Sequence, residues 1–252
     1  MLSQHRQKLI LDYLRTHHSA QVHQLGGILE TSLSTVRRDL NEMEQAGSVR
    51  RVHGGAIILE DAEESSLQMR GAAYAEAKAR IGCAAAALVE NGETIIITGG
   101  TTTETMLPYL DSKENITVVT NALSIACKLV ASPGISVIVL GGWLRHSESS
   151  LLGHLTVQAL REIHAHKIFQ GTFGIDAALG LTGAYVQEVD TDRQLIAAAR
   201  QLVVLADCSK FNQTGPVRLA QVEAITTLVT DTQASPTQVA ALRERGVAVI
   251  LA

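Results

Sequence analysis

The sequence predicts a mixed α/β protein in which a small helical N-terminal domain with one β-hairpin precedes a larger, mostly parallel α/β domain. Two observations indicate this. The first 58 residues combine helical periodicity with an alternating basic hairpin, and from about residue 76 short β-branched runs alternate with helical stretches. The acidic segment between them lacks large apolar residues. We therefore expect domains at 1–58 and 76–252, joined by a linker at 59–75.

Charge is distributed unevenly between these two parts. The 252 residues carry a net charge of −4. Residues 1–58 hold seven lysines and arginines against five aspartates and glutamates, whereas the remainder holds fourteen against twenty. We call residues 1–58 the head. A basic head followed by an acidic remainder is the asymmetry expected when only the head binds a polyanion.

The head contains three predicted helices. They span residues 4–17, 22–30 and 33–46, with apolar residues recurring at three- and four-residue steps. Ser32 is a natural N-cap for the third helix, and Gly47 ends it.

The third helix has two distinct faces. Its inward face carries Val36, Leu40 and Met43. Its outward face carries Ser34, Arg37, Arg38 and Asn41. Hydroxyl, amide and guanidinium groups of this kind reach phosphates and base edges in a DNA major groove. Glu42 is expected to pair with Arg38 one turn away, so the acids do not cancel this surface.

Residues 48–58 alternate apolar and basic positions around Gly54-Gly55, which predicts a β-hairpin turning at the two glycines. A basic hairpin beside an outward-facing helix is the arrangement of a winged helix-turn-helix. The predicted DNA contacts are Ser32, Ser34, Thr35, Arg37, Arg38, Asn41, Arg51, His53 and Gly54. The competing interpretation is a small helical interaction domain whose Arg-Arg face is only solvated.

The larger domain begins with an Ala-rich helix at 76–89. Seven strands are predicted after it, at 94–98, 116–120, 136–140, 167–170, 202–206, 225–230 and 247–251. Continuous apolar strands separated by helices indicate a parallel sheet covered on both faces.

Polar and glycine residues follow five of these strands, where a parallel sheet binds its ligands. The predicted effector contacts are Gly99, Gly100, Thr101, Thr102, Asn121, Gly141, Gly142, Arg145, Asp176, Asp207 and Lys210. Hydroxyls, backbone amides and a lysine suit a small polyhydroxylated anion such as a sugar phosphate. Taken singly, Gly141-Gly142 is also an ordinary turn, Thr120-Asn121 a helix cap, and Asp207 a structural partner of Lys210.

The chain resembles the DeoR family of bacterial regulators along most of its length. The motifs that carry this resemblance are S-L-S-T-V-R-R-D-L at 32–40, R-V-H-G-G-A at 51–56, I-T-G-G-T-T at 97–102, V-V-T-N at 118–121, L-G-G-W-L-R at 140–145, F-Q-G-T-F-G-I-D at 169–176 and L-A-D-C-S-K-F at 205–211. The resemblance implies a recognition helix, a wing, and a sensor domain similar in fold to ribose-5-phosphate isomerase. It implies as partners operator DNA and a phosphorylated sugar or related metabolite, and Thr98 and His166 depart from the family's usual Asp.

An enzyme is the rival class, because folds of this type also host isomerases and deaminases of sugar phosphates. Asp176, Glu188 and Asp207 are the carboxylates available for proton transfer. No nucleophile elbow, phosphate-binding P-loop or metal-ligand spacing occurs, so we expect no catalytic residue, metal or cofactor. A partner-binding protein with a vestigial pocket is a third interpretation.

Further expectations follow from composition. No apolar run reaches the roughly 18–20 residues of a bilayer span, and the N-terminus does not resemble a signal, so no membrane association and a cytoplasmic location are expected. Cys83, Cys127 and Cys208 are widely spaced and are expected to be ordinary thiols. Binding to paired half-sites would require a homodimer or homotetramer.

Overall fold

A computed structural model describes residues 3–17, 19–46, 48–52, 54–58 and 67–252. The chain forms two compact units, Met1–Ala73 and Tyr74–Ala252. Residues 59–66 of the predicted linker, along with Gly47 and His53, lie outside the described residues. Within that linker, Leu67–Ala72 is a helix.

The first unit is a winged helix-turn-helix, as predicted. Its elements are helix α1 (Ser3–His17), strand β1 (Ser19–Gln21), helices α2 (Val22–Ile28) and α3 (Leu33–Gln45), and strands β2 (Val49–Val52) and β3 (Gly55–Ile58). The strands form one antiparallel sheet in the order β1-β3-β2. The linker helix Leu67–Ala72, α4, also belongs to this unit.

The predicted inward face of α3 is confirmed. Val36, Leu40 and Met43 are buried together with Ile10 and Leu14 of α1. The turn before α3 begins earlier than predicted: α2 ends at Ile28 because Glu30 takes a left-handed conformation (φ 47°).

The sequence analysis missed β1, and with it the role of Gly55. The predicted Gly54-Gly55 turn is only half right, since Gly54 lies in the turn whereas Gly55 belongs to β3 and pairs with Gln21. A side chain at Gly55 would come within 2.2 Å of the Ala20 carbonyl oxygen. Gly55 therefore allows β1 to approach the wing closely.

The second unit is built on a seven-stranded parallel sheet, and all seven of its strands are those predicted. They are β4 (Thr94–Ile97), β5 (Thr117–Thr120), β6 (Ser136–Val139), β9 (Ala165–Gly171), β12 (Ala199–Leu205), β14 (Ile225–Thr230) and β15 (Ala248–Leu251). Their order in the sheet is β15-β14-β12-β9-β4-β5-β6. Every neighbouring pair is parallel.

Alternate strand residues face two separate cores. Ile96 and Val204 belong to one buried cluster, whereas Ile95, Ile97 and Val203 belong to the other. Burial on both faces explains why these strands are continuous apolar runs. The helices of this unit are α5 (Ala75–Ala87), α6 (Leu123–Leu129), α7 (His154–Leu160), α8 (Val189–Ala197) and α9 (Pro236–Glu244).

Two smaller strand groups were not predicted. A hairpin pairs β7 (Trp143–Arg145) with β8 (Ser150–Leu152), and a three-stranded sheet joins β10 (Gly174–Asp176), β11 (Gly180–Gly183) and β13 (Val217–Ala220). Both lie between the major strands in sequence.

A buried ion pair stabilises the amino edge of the large sheet. Lys167 Nζ, at the start of β9, lies 2.5 Å from Glu93 Oε1. Burial opposes ionisation of Glu93, yet hydrogen bonds with the Glu90 backbone and with Lys167 outweigh it and hold the pKa of Glu93 below its usual value.

Candidate DNA interface and effector site

The recognition face, which we define as Ser34, Arg37, Arg38 and Asn41 on α3, is exposed at every position. Glu42 accepts a hydrogen bond from Gln7 Nε2 (2.8 Å), so the expected pairing of Glu42 with Arg38 is wrong. Among the described residues, no hydrogen bond or ion pair joins either arginine side chain to the chain. Both guanidinium groups are therefore available to an external anion or base.

Hydroxyl groups cluster at the start of α3. Ser32 Oγ accepts from the Thr35 backbone N–H at 3.2 Å, which confirms Ser32 as the N-cap. The same oxygen lies 2.9 Å from Ser34 Oγ and 2.8 Å from Thr35 Oγ1. A helix N-terminus of this kind favours a phosphate group, and these three residues remain predicted contacts.

A buried ion pair fixes α3 against α1. Arg6 Nε donates to Asp39 Oδ2 at 2.7 Å, and Arg6 Nη2 donates to Asp39 Oδ1 at 3.0 Å. Asp39 is fully buried and Arg6 is 8% exposed. The hydrogen bond with Asp39 raises the pKa of the Arg6 guanidinium above its usual value. This bidentate pair holds the buried side of the helix whose opposite side is the recognition face.

The wing is joined to α3 by side-chain contacts. Arg51 of β2 is exposed, and its Nη1 donates to Asn41 Oδ1 at 2.5 Å. The Arg51 backbone N–H donates to Glu44 Oε1 at 2.8 Å, one turn further along α3. Gly54, in the turn, is exposed and has a φ of 80°. The structure therefore brings together two predicted DNA contacts, Asn41 and Arg51.

The large sheet has a topological switch point between β4 and β9. From β4 the chain proceeds through β5 and β6 on one side, and from β9 through β12, β14 and β15 on the other. Ligands of open α/β sheets bind in the crevice that such a reversal leaves at the carboxyl edge. The effector contacts predicted after β4, β5 and β12 follow the ends of strands beside this switch point, whereas Asp176, predicted after β9, lies in β10 of a separate sheet.

Two glycine-containing loops meet at this switch point. Gly99, Gly100, Thr101 and Thr102 follow β4, and Gly171 ends β9. A methyl group placed on Gly171 would lie 3.7 Å from the Gly99 carbonyl oxygen. The structure therefore brings the two loops together, as predicted.

Two buried amide side chains at this edge each have an oxygen without a hydrogen-bond partner among the described residues. Asn121, 3% exposed, donates through Nδ2 to the Leu151 carbonyl (3.1 Å), while its Oδ1 accepts nothing. Gln170, 5% exposed, donates to the Gly171 carbonyl, and its Oε1 likewise accepts nothing. Asn121 does not cap α6, so that interpretation is wrong. A buried oxygen without a hydrogen-bond partner marks a position where a water molecule or a ligand donates a hydrogen bond.

Lys78, which the sequence analysis missed, contributes a buried cation near the same edge. Its Nζ lies 3.8 Å from Asp207 Oδ2, and the two residues are 4% and 1% exposed. Thr105 Oγ1 is within hydrogen-bonding distance of both the Lys78 and Thr102 carbonyls, which fixes α5 against the loop after β4. Asp207 Oδ1 accepts from Ser209.

Lys210 is half-buried in the 3-10 helix Cys208–Asn212, and its backbone N–H donates to the Asp207 carbonyl (3.0 Å). Lys210, a predicted effector contact, therefore lies one turn of this short helix after Asp207.

The residues predicted after β6 have structural partners. Thr156 Oγ1 donates to the Gly141 carbonyl, and a side chain at Gly142 would come within 2.6 Å of the Leu152 carbonyl oxygen. Arg145 Nη1 lies 2.5 Å from Glu188 Oε2, and its guanidinium stacks on Tyr185. These residues fix the β7–β8 hairpin, and their part in effector binding stays a prediction.

Asp192, an acidic side chain whose charge interacts with Arg145, has a raised pKa. Desolvation raises the pKa of Asp192 to about 8, the charges of Glu188 and Glu148 act in the same direction, and Arg145 opposes them.

The carboxylates proposed for proton transfer are each held by a different part of the chain. Asp176 Oδ1 accepts from the Ala178 and Leu179 backbone N–H groups, and its Oδ2 accepts from Gln238. The Leu179 hydrogen bond is the main cause of a lowered pKa at Asp176. Glu188 pairs with Arg145 and Asp207 with Ser209.

The described ranges contain neither a metal-ligand cluster nor a helix able to span a membrane. No group of three His, Cys, Asp or Glu side chains is placed to hold a metal ion there. None of the helices in those ranges has both the length and the hydrophobicity that a bilayer crossing requires. The three cysteines are free thiols.

A winged helix-turn-helix with an exposed basic helix, followed by an α/β domain whose parallel sheet has a topological switch point, defines a DNA-binding regulator with its own ligand-binding domain. Comparison with known families agrees. The DeoR-like helix-turn-helix domain matches residues 6–62, and the DeoR C terminal sensor domain matches residues 73–232. The chain belongs to the DeoR family of transcriptional regulators. It binds operator DNA and a small-molecule effector, and its families are those of regulators, not enzymes.

Similar proteins cover nearly the whole chain. The uncharacterized HTH-type transcriptional regulator FruR of Bacillus subtilis (strain 168) is 32% identical over 92% of this chain and 93% of its own. The HTH-type transcriptional repressor GlcR of the same organism is 32% identical over 92% and 89%. The putative aga operon transcriptional repressor of Escherichia coli O157:H7 is 28% identical over 98% and 93%.

Two solved structures are similar to this chain at low TM-scores. Ribose 5-phosphate isomerase from Plasmodium falciparum matches with a TM-score of 0.40 and 17% identity, over 54% of this chain and 52% of that one. The full-length sorbitol operon regulator SorC from Klebsiella pneumoniae matches with 0.40 and 14%, over 95% and 98%. The family assignment therefore depends on the sequence matches.

Proposed function

We propose that this regulator is a cytoplasmic repressor of sugar-catabolic genes, and that a phosphorylated sugar or related metabolite releases it from its operator. The main support for an effector site is the switch point between β4 and β9. Two glycine-containing loops, two amide oxygens without a hydrogen-bond partner and a buried lysine lie near this edge of the sheet. Relatives named as repressors support the direction of control.

The DNA half rests on the recognition face and the hydroxyl cluster at the start of α3. Ser34, Thr35, Arg38 and Asn41 contact base edges in this proposal. Phosphate and groove contacts come from Ser32, Arg37, Arg51, His53 and Gly54. Two heads separated by about one helical turn of DNA read a two-fold symmetric operator, so the active form is a homodimer or a homotetramer.

The effector half rests on the groups that the crevice offers. The Asn121 and Gln170 oxygens accept hydrogen bonds from sugar hydroxyls, and Thr101, Thr102 and backbone N–H groups donate to the ligand. The ammonium groups of Lys78 and Lys210 balance a phosphate charge. A neutral apolar ligand would leave the buried Asn121 and Gln170 oxygens without a donor.

Effector binding changes operator affinity by favouring an arrangement of the two heads that does not match the half-sites. Couplings of this kind amount to about 1–3 kcal/mol, or about 5–150-fold in affinity. A ligand that bound both arrangements equally would release nothing.

Phosphorylated sugars added to the complex of the chain with its operator should therefore lower the affinity for the operator by about 5–150-fold and release the DNA. The operator is obtained by selection from random duplex DNA, and binding is followed by electrophoretic mobility shift. The matched control for each phosphosugar is the same sugar without its phosphate, which should release much less. If no phosphosugar changes operator binding, or if the free sugars change it equally, phosphorylated sugars are not the effectors of this regulator.

A further inference from the structure

We infer that Arg51 orients the Asn41 amide so that α3 presents a hydrogen-bond donor to DNA at this position, which makes Asn41 select guanine over adenine. This inference rests on the proposed recognition face, and it adds the base read at one position and the residue that sets the preference.

The orientation of the amide follows from the chemistry of its partner. A guanidinium group has only donors, so the amide atom that lies 2.5 Å from Arg51 Nη1 must be the oxygen. The amide nitrogen is then the group left for another partner. Among the described residues, nothing accepts from Asn41 Nδ2.

A backbone hydrogen bond of Arg51 also stabilises its contact with Asn41. The Arg51 N–H, on the outer edge of β2, donates to Glu44 Oε1 at 2.8 Å. Glu44 lies three residues after Asn41, on the same side of α3. Two contacts one turn apart therefore fix Arg51 beside Asn41, although both residues are exposed.

Fixing the amide changes which base it recognises. An asparagine with both amide groups free pairs with adenine, accepting from N6 and donating to N7. Arg51 occupies one of the two lone pairs of Oδ1, and its positive charge beside that oxygen disfavours the approach of a second donor such as the adenine N6 amino group. Guanine presents O6 and N7, both acceptors, to the remaining N–H donors. The engaged asparagine therefore favours guanine, and Arg51 is the positioning residue.

The test is selection of bound sequences from random duplex DNA by the full chain and its variants. The wild-type chain should enrich guanine at one position of each half-site. Arg51→Ala should shift that position toward adenine, changing the guanine-to-adenine ratio by about tenfold. Arg51→Lys, which keeps a donor, should retain guanine.

Arg50→Ala is the matched control, because Arg50 is exposed on the same strand and carries the same charge. It should weaken binding to all sequences without changing the base preference, as expected of a phosphate contact. Asn41→Asp keeps an acceptor for Arg51 but has no N–H, so the guanine preference should disappear. Thermal unfolding identifies any variant that fails to fold.

The outcomes separate two failures. A preference that Asn41→Ala removes but Arg51→Ala leaves unchanged overturns the role of Arg51 while leaving the recognition face in place. A preference that neither substitution changes shows that position 41 reads no base. That result overturns the inference and removes Asn41 from the proposed interface.

Discussion

Replacing Asp39 with alanine should destabilise the winged helix-turn-helix by about 3 kcal/mol, near the lower end of the range for breaking a buried ion pair because Arg6 keeps a small exposed fraction. The substitution leaves the Arg6 guanidinium, which is 8% exposed, without its bidentate acceptor. Hydrogen exchange of the full chain should show lost protection in peptides from residues 3–58 and unchanged protection in peptides from 74–252.

The matched control removes both charges. The double variant Arg6→Met with Asp39→Leu leaves no uncompensated charge, so it should recover most of the stability that Asp39→Ala loses. If Asp39→Ala alone leaves the protection of 3–58 unchanged, the pair does not hold α1 against α3. If the double variant is as unstable as the single, packing rather than charge explains the loss.

Replacing Lys78 with methionine should weaken the effector response by about 12–150-fold, since a hydrogen bond to a charged group contributes about 1.5–3 kcal/mol. Lys78 is buried beside Asp207 and is fixed through Thr105 to the loop after β4. Operator affinity without effector should stay close to wild type, because Lys78 lies outside the winged helix-turn-helix unit. The measurement is the effector concentration that releases half of the bound operator.

Lys167→Met is the control for lost stability. Lys167 is also buried and also paired with a carboxylate, Glu93, but it lies at the amino edge of the same sheet. Both variants should lower the free energy of unfolding, and only Lys78→Met should change the effector response. Equal losses of response in the two variants would mean that Lys78 acts through stability and not as a ligand.

The sequence predicted the large sheet well because its strands are buried on both faces. Continuous β-branched runs such as those at 94–98 and 225–230 leave few alternatives. The order of the strands was not predictable, since it depends on pairings between residues far apart in the chain. The short strands were missed for a different reason: β1 is the three residues Ser19–Gln21, two of them polar, and β11 begins and ends on glycine.

The candidate sites were predicted unevenly. The recognition face could be predicted because helical periodicity alone separates Arg37 and Arg38 from Val36 and Leu40. Lys78 could not, since a lone lysine in an Ala-rich helix predicts a solvated side chain and only the fold places it beside Asp207. The contact between Asn41 and Arg51 was equally hidden, because it depends on how the wing packs on α3.

The central claim is that the exposed face of α3 reads the operator, and Arg38→Ala tests it most directly. The measurement is the equilibrium affinity of the full chain for its selected operator and for single-base variants of it. A lost bidentate base contact costs about 1–3 kcal/mol, so affinity should fall about 5–150-fold and discrimination at one base pair should disappear. Arg200→Ala, which removes the same charge from an exposed position in the second unit, should leave both unchanged. An Arg38→Ala chain that binds with wild-type affinity and selectivity would contradict the account.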